Sequence, residues 1–157
     1  MENTASQGHA PLAPFVSFTR HYKAAPEKVW RAWTTPQALA GWFGPDEEGV
    51  VSLAEMDVRV GGRYHIRFGV PGGEEHNVAG AYQEVALNQK LVFSWAWQST
   101  PERVSRVTVM LRPKDGGTEL NFRHEQFFDQ AARDGHNQGW AGAFAKLDRL
   151  LGRVHAY

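Results

Sequence analysis

Cysteine is absent from this 157-residue sequence. That excludes a disulfide scaffold, a thiolate metal site and a cysteine nucleophile. It fits a reducing compartment, so a cytoplasmic location is expected. No charge of either sign dominates: 17 Lys and Arg balance 17 Asp and Glu. Nucleic-acid binders usually carry a basic excess, so no nucleic-acid partner is expected. No apolar run approaches the ~18 residues of a membrane-spanning helix, so no membrane insertion is expected. Residues 1–14 lack the basic and apolar regions of a signal peptide and read as a disordered leader. GxGxxG, GK[ST], GxSxG and HExxH patterns are all missing, so no cofactor, serine elbow or metal site is expected. Aromatic residues, by contrast, are plentiful: six Trp, nine Phe and four Tyr.

The order of elements follows from hydrophobic period. Residues 15–22 read as a first strand. Pro26 and Glu27 start a helix whose face carries Val29, Trp30 and Trp33. A second helix follows Thr35-Pro36, with Leu39, Trp42 and Phe43 at i, i+3 and i+4, and Gly44-Pro45 ends it. From residue 50 the period changes to two. Strands are expected at 50–58, around Tyr64, Ile66 and Phe68, at 76–85, around 91–97, at 104–112 and at 118–125, joined by short Gly-containing or polar turns. Helical period returns at 130–151, where Trp140, Phe144, Leu147 and Leu151 share a face. Gly135, Gly139 and Gly142 weaken that helix intrinsically, by roughly 1 kcal/mol each. They suit a helix whose backbone approaches something closely or leaves room for it. The expectation is one α+β domain at 15–152 with a tail at 153–157: a curved antiparallel sheet of about seven strands around a long C-terminal helix, in the order β-α-α-β6-α.

Several stretches carry a family resemblance. They are Ala25-Pro26-Glu27-Lys28-Val29-Trp30-Arg31-Ala32-Trp33-Thr34, Trp42-Phe43-Gly44-Pro45, Asp57-Val58-Arg59-Val60-Gly61-Gly62-Arg63, Gly80-Ala81-Tyr82-Gln83-Glu84-Val85, Leu91-Val92-Phe93-Ser94-Trp95 and Gly139-Trp140. Together they resemble the START-like, or SRPBCC, superfamily, in particular its AHSA1-like branch, named for the activator of the Hsp90 ATPase. The resemblance implies a helix-grip (Bet v 1-like) fold with a cavity between sheet and final helix. Members of the superfamily bind lipids, sterols, polyketides or hormones, and some catalyse ring closure. The Hsp90 activator docks through an additional N-terminal domain; this sequence offers only the short leader, which sets chaperone binding at a disadvantage.

Strand parity gives the candidate site. Tyr64, Phe68, Tyr82, Phe93, Trp95 and Trp97 point inward, facing Trp140 and Phe144, and form the expected ligand wall. His124 continues the inward parity of Leu120 and Phe122, and Glu84 that of Tyr82. These two are the candidates for orienting a ligand or for acid–base work, with Arg106 as a partner for Glu84. His136, one turn before Trp140, is placed to reach the cavity mouth. His65 shares a solvated strand face with Arg63 and Arg67. Trp42 and Phe43 would form a gate. Arg20 reads as a member of a structural ion pair. The preferred function is binding of a small apolar or aromatic molecule, which includes lipids. The alternatives are a cyclase- or lyase-like enzyme using His124 or Glu84, and an Hsp90-type cofactor or stress-response interaction protein. A homodimer is left open.

Overall fold

The computed structural model describes residues 14–155. The expected leader at 1–14 falls almost wholly outside the described residues. Ten elements follow one another: β1 (Phe15–Tyr22), α1 (Pro26–Thr34), α2 (Pro36–Ala40), β2 (Val50–Met56), β3 (Arg63–Gly69), β4 (His76–Ala86), β5 (Lys90–Trp97), β6 (Ser105–Lys114), β7 (Gly117–Glu125) and α3 (Gln130–Leu151). The strands form one seven-stranded antiparallel sheet in the order β1-β7-β6-β5-β4-β3-β2. Each strand from β2 to β7 therefore lies beside its chain neighbour, and β1 closes against β7. α3 packs across the concave face, which is the helix-grip arrangement of an α+β fold. Among the described residues no helix is long and apolar enough to cross a membrane.

Local chemistry sets the element ends. Pro26 occupies the first turn of α1, where its missing N–H costs nothing, and Glu27 complements the helix dipole. Thr35, preceding Pro36, is held extended, so the chain turns and α2 begins. α2 closes at Ala40, earlier than the periodicity through Phe43 suggests; Trp42 and Phe43 sit in a turn whose N–H groups bond back to the Leu39 carbonyl. Asp129 caps α3 by accepting from the Ala132 N–H at 2.8 Å, and Gly152 ends it with φ of 73°. That cap sets the start of α3 at Gln130.

Two of the glycines that close approach requires bear on the packing of β4 and α3. A Cβ on Gly142 would lie 2.1 Å from the Pro45 carbonyl oxygen, so α3 can touch the Gly44-Pro45 turn only because it has none there. A Cβ on Gly80 would lie 2.0 Å from the Ser94 carbonyl oxygen. The ladder between β4 and β5 is interrupted there. The Ala81 N–H donates to Ser94 Oγ at 2.9 Å, and the Tyr64 hydroxyl donates to the Ser94 carbonyl at 2.6 Å.

The core is aromatic. Trp33 packs against Trp42, Phe122, Trp140 and Phe144 with ring centroids 4.6–6.1 Å apart. Val16, Leu120, Phe144 and Leu147 are wholly buried, each contributing roughly 1.5–3 kcal/mol by burial. The C-terminal half of α3 is pinned to β1. Arg20 Nε donates to both Asp148 oxygens at 3.1 and 3.2 Å, and the Tyr22 hydroxyl donates to Asp148 at 2.8 Å. Burial, with Asp148 beside it, pushes the Tyr22 phenol far above its ordinary range. Arg20 is thus in the ion pair expected of it. Of the expected tail, Arg153 bridges Tyr22, and the Val154 N–H donates to the His21 carbonyl at 2.7 Å.

Candidate functional site

A cavity of about 390 Å³ opens at one end of the molecule, between the sheet and the N-terminal half of α3. Five strand ends meet there: the end of β3 brings Phe68, the start of β4 His76, the end of β5 Trp95 and Trp97, and the start of β6 Ser105, while β7 leads into Phe127 and Phe128. α3 supplies Ala131, Ala132, Gly135, His136, Gly139, Trp140 and Ala143, and Phe43-Gly44-Pro45 forms the opposite lip. Gly135 faces open space: a Cβ there would meet nothing within 4 Å. The room that the helical glycines suggest exists at Gly135, whereas Gly142 serves contact.

Behind the aromatic lining runs a closed set of hydrogen bonds. The Trp95 indole N–H donates to His136 Nε2 at 3.2 Å, and His136 Nδ1 lies 2.7 Å from the Ala132 carbonyl. An indole is a donor only, so Nε2 accepts and Nδ1 carries the proton. The Trp140 N–H donates to His124 Nδ1 at 3.0 Å, while His124 Nε2 lies 2.7 Å from Ser105 Oγ. His124 therefore holds its proton on Nε2, and the Ser105 hydroxyl passes its own hydrogen to the Trp95 carbonyl at 3.1 Å. Two indoles thus fix two neutral imidazoles in opposite tautomers. Burial, helped by His136 with its ring 5.0 Å away, drives the His124 imidazole down to about 2. Burial also lowers His136, against the pull of the Ala132 carbonyl.

The expected wall is divided by this geometry. Phe68, Trp95, Trp97 and Trp140 line the cavity together, with Phe43 at its lip. Tyr64, Tyr82 and Phe93 instead line a separate cavity of about 20 Å³, which shares Phe43 and Trp95 with the large one. Trp33 borders that small space, and its buried indole N–H has no hydrogen-bond partner among the described residues. Burial raises the Tyr64 and Tyr82 phenols above their ordinary range. Phe144 is wholly buried and stacks on Phe18 at 4.8 Å, so it belongs to the core and not to the cavity. Trp42, expected at a gate, does not line the cavity either: it is wholly buried, and its N–H donates to the Ala32 carbonyl at 2.9 Å. His124 sits behind the lining, not on it.

Glu84 is displaced by a β-bulge. Tyr82 pairs with Phe93 but Glu84 pairs with Val92, so one extra residue breaks the alternation. Gln83 and Glu84 both point outward, and Glu84 meets Lys90 at 3.3 Å on the surface. Arg106, offered as its partner, bonds Glu125 at 3.1 Å instead. His65 bonds Asn77 at 2.9 Å on the outer face. Among the described residues no cluster of His, Asp and Glu could hold a metal ion.

Parity reasoning missed His76, Thr100, Arg103, Phe127 and Phe128, all of which line the cavity. Most lie in connections, where no period reports direction. Gln126, with φ of 68°, redirects the chain after β7 and brings Phe127 to 4.4 Å from the His124 ring.

Comparison with known proteins agrees with this fold. The chain aligns over 88% of its length with protein CV1439 from Chromobacterium violaceum, at 28% identity, a TM-score of 0.79 and 96% coverage of that chain. Protein MLL2253 from Mesorhizobium loti is 28% identical, with a TM-score of 0.68, over 90% of this chain and 99% of that one. The AHSA1 (SPO3351) protein from Silicibacter pomeroyi shares the fold at 24% identity, with a TM-score of 0.76, over 87% of this chain and 96% of that one. No curated protein matches the sequence. The family model described as Activator of Hsp90 ATPase homolog 1-like protein matches residues 23–152. That span holds α1, strands β2 to β7, α3 and every residue lining the cavity, and the chain belongs to this family.

Proposed function

We propose that the protein binds a small hydrophobic or aromatic molecule in the cavity between the sheet and α3. The observation that carries this reading is the cavity itself: about 390 Å³, walled by Phe43, Phe68, Trp95, Trp97 and Trp140. Ligand sites are typically of this size and mostly apolar, with a few fixed polar groups. The enzyme reading loses its acid–base groups. His124 has both ring nitrogens engaged and stays neutral, and Glu84 is on the outer surface. The Hsp90-cofactor reading has the family description as its support.

The test uses the neutral fluorescent probe N-phenyl-1-naphthylamine and a variant that fills the mouth, Gly135→Leu. Leucine is a better helix former than glycine, so the variant is expected to fold at least as well. Saturable probe binding with energy transfer from tryptophan is expected for the native chain, weakened at least tenfold in Gly135→Leu. Binding that is absent from the native chain, or unchanged in the variant, defeats the reading.

A further inference from the structure

The polar groups beneath the cavity are all consumed within the protein. The Trp95 and Trp140 N–H groups, both nitrogens of His124 and of His136, and the Ser105 hydroxyl are each paired. A ligand reaching the buried floor at Trp95 and Trp140 finds aromatic surface and no unused hydrogen-bonding valence; the half-buried Trp97 indole and His76 imidazole, which also line the cavity, lie further out. Burying a polar end there would cost the desolvation of that group without return. The polar end of any ligand must therefore remain at the mouth.

The mouth carries charge of one sign. No Asp or Glu lines the cavity, whereas Arg103 does. Its guanidinium carbon lies 3.9 Å from the centre of the Phe128 ring. Among the described residues its one ion-pair partner is Glu102, 3.9 Å away with a side chain 72% exposed, so the pair is loose and solvent-screened. The guanidinium thus sits over an aromatic face with only a loose, screened carboxylate beside it, which leaves N–H groups for an oxyanion. The Arg103 backbone N–H donates to the Thr100 carbonyl at 3.0 Å, and this turn sets both side chains on the same rim.

We propose that the ligand is an amphipathic anion: a rigid apolar or aromatic body with a carboxylate at one end. The body lies against Trp95, Trp97 and Trp140. The carboxylate accepts from Arg103, with the Thr100 hydroxyl as a second donor. This inference rests on the cavity being a ligand site, and it adds the ligand's charge and orientation.

A matched pair of probes separates the two claims: 1-pyrenecarboxylic acid and 1-pyrenemethanol, each competed against N-phenyl-1-naphthylamine on the full chain. The acid is expected to bind at least tenfold tighter than the alcohol. Arg103→Gln is expected to abolish that preference while leaving the alcohol's affinity within about twofold. Arg103 lies in an exposed connection, and circular dichroism checks that the variant is folded. Equal affinities of acid and alcohol for the native chain overturn this inference and leave the cavity reading standing. An acid preference that survives in Arg103→Gln likewise overturns it. Failure of both probes and of the naphthylamine defeats the cavity reading and this inference together.

Discussion

His124 is wholly buried between two indoles and a serine, and its proton is on Nε2. Folding keeps the imidazole neutral to about pH 2, whereas in an unfolded chain it titrates near its ordinary 6.5. Below 6.5 the unfolded state therefore binds more protons than the folded state. Stability is full above that pH and falls as the pH drops, at about 1.4 kcal/mol per pH unit for a histidine so shifted. His136, lowered in the same direction, adds a share of the same sign. The window between pH 6.5 and about 5 lies above the usual carboxylate range, so the histidines dominate it. Urea denaturation at pH 7.5, 6.5 and 5.5 should show this slope in the native chain. In His124→Gln the slope should fall by most of one histidine's share, whatever the variant's starting stability. An identical slope in both proteins would show that His124 is not held neutral by the fold. The inward direction of His124 was readable from strand parity, and the reach of His136 from helical spacing. Their partners were not readable, because hydrogen bonds between β5, β6, β7 and α3 join residues up to 41 positions apart.

At the scale of the element, α3 carries glycines with opposite roles. Gly142 makes close approach to Pro45 possible, while Gly135 borders open space. Gly142→Ala would drive a methyl into a backbone carbonyl that cannot rotate away. The helix or the Gly44-Pro45 turn must shift, at roughly 1–3 kcal/mol, more than the helix-propensity gain returns. Gly135→Ala meets nothing and should stabilise α3 by up to about 1 kcal/mol. Chemical denaturation of the two variants should move the midpoint in opposite directions; shifts of the same sign would contradict this division. The helix and its end at 151 were legible from its apolar period; its start, open between 130 and 135, is set by the Asp129 cap. Which glycine touches and which gives room was not, since that depends on a turn about a hundred residues away in sequence. The β4 bulge was equally invisible. Parity runs unbroken through Tyr82 and Glu84 on paper, and one extra residue in the ladder sends the carboxylate to the surface.

At the scale of the molecule, the grip is uneven. The C-terminal half of α3 is fastened to β1 through Asp148, and to the loop after α2 by Lys146, which donates to the Asp46 carbonyl at 2.8 Å, and by Arg149 on Glu47. The N-terminal half borders the cavity and buries only Trp140; it reaches the sheet through His136 and Trp140 on Trp95 and His124, and through Arg133 Nε, which donates to the Phe15 carbonyl at 2.9 Å. Local opening is easiest where buried contacts are fewest, so this end should exchange its amides faster than the fastened end. A bound ligand would bridge the gap. Hydrogen exchange measured with and without N-phenyl-1-naphthylamine should therefore show new protection in residues 131–140, in the 98–104 connection and at Phe43-Gly44. The amides of residues 144–151 should be unchanged, because the Asp148 network already holds them. Protection spread evenly along α3 would mean that binding stiffens the whole grip. Unchanged exchange at Phe43-Gly44 would remove that lip from any gating role. The general architecture needed for this prediction is in the sequence, in the change of hydrophobic period from 3.6 to 2 and back. The asymmetry along α3 is not, because it arises from Asp148, Lys146 and Arg149 finding partners on β1 and on the loop after α2, which no local pattern announces.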